Sequence, residues 1–293
     1  FMGDHSARQI DTMTLLGNNE VVLGNSFIVM SREEPRQESS PEITRYVRLL
    51  STKAPLFEKV SENTVLVRIP AFDHAFKKDI DAVIAKHLDT ILKTENLIID
   101  IRGNGGGSDV SYASLLPILY TNPIRTVGME YLSTELNNSR MLGFLQNPHF
   151  SEEEKQWAKD GYDILNQHIG SYINIDEDVT VETFDKIEPL PKSIGVLVDS
   201  SNGSTAEQFL LAAKQSKKVK LFGQTTAGVL DISNMYQTDS PSGTFTLYYS
   251  LTKSLRIPHM AIDGVGIQPD YYIDGELPLY QWTSYTQKIL EGM

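Results

Sequence analysis

The chain has 293 residues, 40% of them hydrophobic and 22% charged, a composition that suits one large globular core or a core with a smaller subdomain. Its formal charge of −12 argues against a nucleic-acid partner, which would need a basic footprint. Cysteine is absent, which excludes disulfides, thiolate metal sites and a cysteine nucleophile, and no apolar run approaches the length of a membrane span.

The chain opens Phe1-Met2-Gly3-Asp4 with neither a signal peptide nor a natural start, so a preceding segment, with any targeting information, is expected. Residues 20–30 and 43–51 read as strands joined by a polar loop at 33–41. Thr64 to Pro70 is a strand that stops at the proline. Ile80, Val83, Ile84, His87, Leu88, Ile91 and Leu92 then share one helical face. Leu97 to Arg102 is a short, nearly all-apolar strand of the kind covered on both sides. A helix over 107–121 and a strand over 124–131 follow. Residues 134–178 break the rhythm and read as a helical insertion, in which Ser151-Glu152-Glu153-Glu154 is a capping box with an acidic first turn. The alternation resumes with a strand at 194–199, a helix at 204–216 and a strand at 218–223. Further strands are expected at 243–250 and 251–257, and a last helix at 279–291. Alternating strands and helices imply a layered α/β core with parallel crossovers.

Two strand ends carry chemistry. Ile194 to Glu207 reads as a buried strand, a tight turn with Asn202 and Gly203, and a helix opening at Ser204. A helix start offers unsatisfied N–H donors and partial positive charge, and hydrolases place nucleophilic serines on such turns. The plain alternative is an N-capping serine. Asp100-Ile101-Arg102-Gly103-Asn104-Gly105-Gly106-Gly107 is a second glycine-rich strand end, without the lysine of a phosphate loop or the spacing of a dinucleotide fingerprint. Adjacent parallel strands would bring both loops to one carboxyl edge. The Thr205 amide and an amide of Gly105 or Gly106 could there form an oxyanion hole, worth about 3–4 kcal/mol of barrier per donor.

These loops resemble those of the S41 serine peptidases, the family of carboxyl-terminal processing proteases, the tricorn core protease and the interphotoreceptor retinoid-binding protein repeats. The aspartate-arginine-asparagine-glycine-glycine loop and Ser204-Thr205-Ala206-Glu207 match its motifs. Gly223 to Gly228 is similar to its glycine-threonine-glycine strand end, and Asp263 to Asp270 to its closing glycine-valine-proline-aspartate segment. The four occur in family order over about residues 60–275. The resemblance implies a layered crotonase/ClpP-like β-α-β core, with residues 1–60 a small β-rich N-terminal segment carrying the candidate base. Residues 61–293 are then the catalytic core, with the helical insertion at about 134–178.

The departures from the pattern shape the site. Processing proteases place a lysine 25 positions after the serine, and here that position is Val229, which cannot take a proton. The tricorn-like branch uses a histidine ahead of the core, and Gly3-Asp4-His5-Ser6 resembles that segment. The implied arrangement is Ser204 as nucleophile, His5 as base and Asp263 as the acid orienting His5, with Asp4, Asp231 and Glu207 open as alternatives for the acid. His259 is a rival base, and Lys253 a weaker one. His87, His74, His149 and His168 read as structural or surface groups. No zinc spacing occurs, and neither a metal nor an organic cofactor is implied. Fewer than sixty residues separate His5 from the strand at Thr64, which is short for a PDZ module, so the resemblance is to a PDZ-less arrangement.

The function implied is a serine-type peptidase acting on a peptide or protein through an acyl-enzyme, with homo-oligomer formation left open. The family resemblance points to the cell envelope, periplasm or secretion. The rivals are a catalytically inactive S41-like fold binding an apolar ligand or peptide, and a crotonase-like enzyme acting on acyl thioesters. The acidic balance disfavours the latter, since a coenzyme A pocket needs basic residues.

Overall fold

The computed structural model describes residues 20–23, 26–29, 40–148 and 150–292. In chain order these form β1 (Glu20–Leu23), β2 (Ser26–Val29), α1 (Pro41–Ser51), β3 (Leu56–Lys59), β4 (Thr64–Arg68), α2 (Lys77–Ile91) and β5 (Asn96–Asp100). A 3-10 turn at Asp109–Leu115 leads into α3 (Leu116–Leu119), β6 (Ile124–Val127) and β7 (Met129–Leu132). Residues 134–178 carry α4 (Glu135–Ser139), α5 (Leu142–Gln146), α6 (Glu152–Asn166) and β8 (Tyr172–Ile173), and β9 (Val179–Glu182) follows. The chain continues through β10 (Ser193–Val198), α7 (Thr205–Ala213), β11 (Val219–Gly223), β12 (Ile232–Asp239), β13 (Thr246–Ser254), β14 (Tyr271–Tyr272) and α8 (Trp282–Glu291).

The central sheet has six strands in the order β14-β11-β10-β5-β4-β3, parallel throughout except for the β3–β4 pair. Both faces are covered, which explains why its inner strands are apolar runs rather than alternating ones. Val65 and Val67 of β4, Leu97 and Ile99 of β5, and Ile194, Val196 and Val198 of β10 point to one core, filled from outside by Ile80 and Ile84 of α2 and Phe209 and Leu210 of α7. The intervening residues Leu66, Ile98 and Leu197 point the other way, to Leu49 of α1 and Trp282 and Leu290 of α8. The result is a three-layer α/β architecture, as expected.

Several elements differ from the sequence reading. Residues 41–51 are a helix, not a strand. Its β-branched and aromatic residues favour a strand, but Ser40 accepts the Ile43 amide as N-cap, Pro41 occupies the first turn, and tertiary burial of Leu49 outweighs propensity. The expected strand at 124–131 is two strands in different sheets, split at Gly128, where a Cβ would lie 2.6 Å from the Glu177 carbonyl oxygen. The two strands expected at 243–257 are the single β13, and β12 was not anticipated. It pairs antiparallel with β13, which pairs with β7, so a second sheet of order β12-β13-β7-β8 joins the late hairpin to the insertion. The insertion is helical as read, and the capping box at Ser151 and Glu154 is formed.

Gly195 shows how closely the outer layer approaches the sheet. A Cβ there would lie 2.7 Å from Thr286 Cγ2 of α8 and 3.2 Å from Leu290 Cδ1. Gly195→Ala should destabilise the protein by about 1–3 kcal/mol through overpacking. Adding Thr286→Ser, which removes the opposing methyl, should recover part of the loss in a thermal melt; full additivity of the two changes would argue against this contact.

Candidate active site

The registers bring three carboxyl ends to one edge. Asp100 of β5 sits opposite Leu197 of β10, and Val198 opposite Gly223 of β11, so the loops that follow meet above the sheet. The Asn202 side chain, fully buried, joins them. Its amide donates to the carbonyls of Ile101 (2.6 Å) and Asn104 (2.9 Å), and its Oδ1 accepts the Asp199 amide (2.8 Å). Its own carbonyl accepts the Ala227 amide (2.8 Å) from the loop after β11. The Asp199 carboxylate adds a second tie, accepting the amides of Gly103 (2.9 Å) and Ser201 (3.0 Å).

Ser204 sits at the mouth of this junction with φ 52° and ψ −126°, a left-handed conformation that costs a residue with a Cβ about 1–3 kcal/mol. It precedes the first residue of α7, and its side chain makes no capping bond. The plain N-cap reading is therefore not what the hydroxyl does. Instead the Ser204 carbonyl accepts the amides of Glu207 (2.8 Å) and Gln208 (3.0 Å), which anchors the strained residue to the helix behind it. The glycine loop lies against it: a Cβ on Gly106 would be 2.9 Å from both Ser204 Cβ and the Thr205 nitrogen. Of the two expected glycine donors, the Gly106 amide is taken by Asn104 Oδ1 (2.9 Å). The amides of Gly105 and Thr205 have no hydrogen-bond partner among the described residues. Of the three amides expected as donors, these two are the ones left without a partner there.

The loop after β11 closes the opposite side. Glu207, fully buried in the first turn of α7, accepts Thr226 Oγ1 (2.5 Å) and the amides of Gly228 (2.8 Å) and Val229 (2.9 Å). Val229, which stands at the family lysine position, is thereby pressed against the turn, its Cγ2 2.7 Å from where a Gly203 Cβ would sit. Glu207 is thus committed to loop structure. Asp231 is likewise committed, to Arg256 (2.7 Å) and to the amides of Ile262 and Asp263. Asp263 lies on the adjoining loop and is held in the same way, accepting the amides of Leu230 (2.6 Å), Asp231 (2.7 Å) and Ile232 (3.1 Å), while Gly264 donates to the Gly228 carbonyl (2.9 Å).

The remaining candidates separate clearly. Lys253 is salt-bridged to Glu130 (3.1 Å) and lies over the Tyr172 ring (4.1 Å), so its ammonium is engaged in the second sheet. His259 is exposed on the turn after β13, and His87 stacks on Phe57 with centroids 4.0 Å apart. His5, Asp4 and His149 lie outside the described residues. No group of three or more metal-ligating side chains occurs among the described residues. No helix among them is long and apolar enough to cross a membrane.

Beneath the glycine loop lies a buried ionic cluster. Asp100 receives two bonds from Arg102, to Oδ1 (3.0 Å) and Oδ2 (2.8 Å), and a longer one from Arg68 (3.4 Å). Burial alone would raise the Asp100 carboxyl, but the two guanidinium groups outweigh it and hold the group below the usual carboxylate range. Asp231 is depressed in the same sense: burial opposes ionisation, and the Asp263 amide, Arg256 and the Ile262 amide overcome it.

Two predictions follow from the strain and the buried charges. Ser204→Gly should raise the melting temperature by a few degrees while Ser204→Ala does not, since only glycine relieves a positive φ, a gain of about 1 kcal/mol. Equal melting of the two variants would mean that the turn is unstrained. Depressed carboxyls stabilise fully above their unfolded values near 4 and lose that contribution as pH falls through the lower folded values. The urea midpoint should therefore hold between about pH 7 and 5 and drop below about 4. Asp100→Asn should give a less stable protein with a shallower acid slope.

The chain has counterparts among known proteins. The model of Peptidase family S41 matches residues 63–273. An uncharacterized protein of Chlamydia muridarum (strain MoPn / Nigg) is 25% identical over 268 residues, covering 78% of this chain and 44% of the relative. The crystal structure of mature CPAF is similar with a TM-score of 0.54 at 19% identity, over 78% of this chain and 50% of that one. A solved Parabacteroides merdae protein has a TM-score of 0.54 at 15% identity, over 99% of this chain and 84% of its own. The chain thus spans less than half the length of the Chlamydia relative and half that of CPAF. The family model covers well over half of the chain, and this chain belongs to peptidase family S41.

Proposed function

We propose that the protein is a serine-type peptidase that cleaves peptide bonds in a peptide or protein substrate through an acyl-enzyme at Ser204. The observation that carries this reading is the backbone of Ser204. A serine held at positive φ between a buried strand and a helix, with no capping bond and beside two unbonded amides, has a strained geometry that an N-cap does not need. In this reading Ser204 Oγ attacks the scissile carbonyl while His5 takes the hydroxyl proton. The amides of Thr205 and Gly105 receive the oxyanion, and His5 returns the proton to the leaving amine. Water then attacks the acyl-enzyme by the same route and regenerates the Ser204 hydroxyl. Asp263 orients His5 and stabilises its charged form. Residues 1–60, carrying the base, and the core 61–293 belong to this proposal, as does an envelope or secreted location.

A fluorophosphonate probe followed by peptide mapping tests the nucleophile. Ser204 should be the only labelled serine, and Ser204→Ala should abolish both labelling and turnover without unfolding the protein. Labelling at Ser200 or Ser201, or none in folded protein, would overturn the assignment and leave the ligand-binding alternative. The hydrolysis rate should rise with pH through an apparent pKa of about 6–7, as expected for a histidine base. His5→Ala should remove that limb and Lys253→Ala should keep it; the reverse result would identify a lysine base.

A further inference from the structure

Asp263 and Asp231 hold each other's backbones. Asp263 Oδ1 accepts the amides of Leu230 (2.6 Å) and Asp231 (2.7 Å), and its Oδ2 accepts that of Ile232 (3.1 Å). Asp231 Oδ2 accepts the amides of Ile262 (2.5 Å) and Asp263 (2.9 Å) in return. The second oxygen of Asp231 is bound by Arg256 Nε at 2.7 Å, in an ion pair whose partners are both almost wholly buried. A further branch of the same guanidinium reaches Gln208 Oε1 (3.4 Å) on α7. The amide of Gln208 is one of the two that hold the Ser204 carbonyl (3.0 Å). A continuous polar path therefore runs from the backbone of Ser204 through Gln208, Arg256 and Asp231 to Asp263. The charge of Arg256 also acts on Asp109, which faces the Thr205 side chain.

We propose that Asp231 and Arg256 are positioning residues for the reaction, fixing the loop of Asp263 to the helix that begins at Ser204. The inference rests on the reading of Ser204 as nucleophile and Asp263 as the orienting acid. Three amides fix the carboxylate of Asp263 relative to residues 230–232, but those amides belong to a loop that must itself be fixed. The Asp231–Arg256 pair supplies that fixation. Acids that orient a base act only within narrow limits of about 0.5 Å and 10–20°. The flat fork of arginine suits two acceptors on different elements, and a lysine could not bind both in the same geometry. Asparagine at 231 would turn its NH2 group either on the amides of Ile262 and Asp263 or on Arg256, so it cannot replace the carboxylate.

The test compares Asp231→Asn, Arg256→Lys, Asp263→Ala and the double variant Asp231→Asn/Asp263→Ala, by peptide hydrolysis and fluorophosphonate labelling rates per folded molecule. Asp231→Asn and Arg256→Lys should lower kcat by roughly 10–100-fold with KM nearly unchanged, the size expected when a reacting group is misplaced by up to about 1 Å. The double variant should be no slower than Asp263→Ala alone, because both changes remove one function. If Asp231→Asn does not fold, Arg256→Lys carries the test, since it keeps the buried charge. A lower melting temperature with unchanged kcat per folded molecule, or additive losses in the double variant, would reduce the pair to a structural staple and overturn the proposal. Failure to label Ser204 in the unmodified protein would instead overturn the peptidase reading beneath it. Labelling slowed by Asp263→Ala but not by the other two would overturn this inference alone.

Discussion

Three loops rich in backbone polar groups converge on the buried side chain of Asn202, which is what allows them to meet. An unpartnered buried amide or carbonyl costs about 1–3 kcal/mol. Asn202 satisfies two carbonyls and an amide with its side chain and a further amide with its own carbonyl, across the loops after β5, β10 and β11. An apolar residue of similar size would keep the backbone bond to Ala227 but would strip the Asp199 amide and the Asn104 carbonyl of their partner. The strain at Ser204 is tolerated because the chain is held on both sides of it. Asn202 fixes the approach, and Glu207 and Gln208 fix the exit through the Ser204 carbonyl. The cost of a positive φ is small beside the bonds that enforce it.

The ionic cluster under the glycine loop works by direction more than by energy. A buried ion pair gains little over well-packed apolar residues of the same volume, since desolvation consumes most of its Coulomb attraction. Its value lies in what else it touches. Arg102 reaches the Leu279 carbonyl (3.0 Å) and lies near the rings of Tyr46 and Trp282, while Arg68 donates to the Leu49 carbonyl (3.0 Å). The base of the loop is thereby tied to α1 and α8, two helices distant in sequence on the same side of the sheet. The asparagine of the motif has the same character. Asn104 binds the Ile69 carbonyl (3.2 Å) and the Gly106 amide, so it shapes the loop and at the same time occupies one of its glycine amides.

How much of this was legible depends on whether the signal was local. β5 and β10 stood out because burial on both faces forces a continuous apolar run, and the Ser151 capping box because its two partners are three residues apart. The 41–51 helix was misread because Ile43, Thr44, Tyr46 and Val47 carry strand propensity, although Ser40-Pro41 held the cap signal that propensity obscured. β12 has no apolar alternation and exists through its ladder with β13, which no window of its own sequence contains. The same limit applies to the site. The positions of Ser204, Thr205 and the glycine loop followed from turn chemistry, whereas the commitment of Gly106 to Asn104 needed coordinates. The pairing of Asp231 with Arg256, 25 positions apart and outside any motif, left no trace in the sequence. Asn202 was visible as a turn residue, but its bracing role was not.

Val229 shows how the loop framework limits the chemistry. Glu207 holds the backbone of Val229, and the valine methyl packs where only a glycine at 203 leaves room. In the proposed reading this apolar side chain leaves no base on that side of Ser204. Lys253, the other basic group considered, is engaged with Glu130 and Tyr172. In the proposed reading the proton acceptor for Ser204 therefore comes from a different element, and Asp263, held by three amides, orients it. In the proposed reading, this scaffold keeps the acid and the oxyanion donors in fixed positions and leaves the base to arrive from a segment 199 positions upstream of the nucleophile.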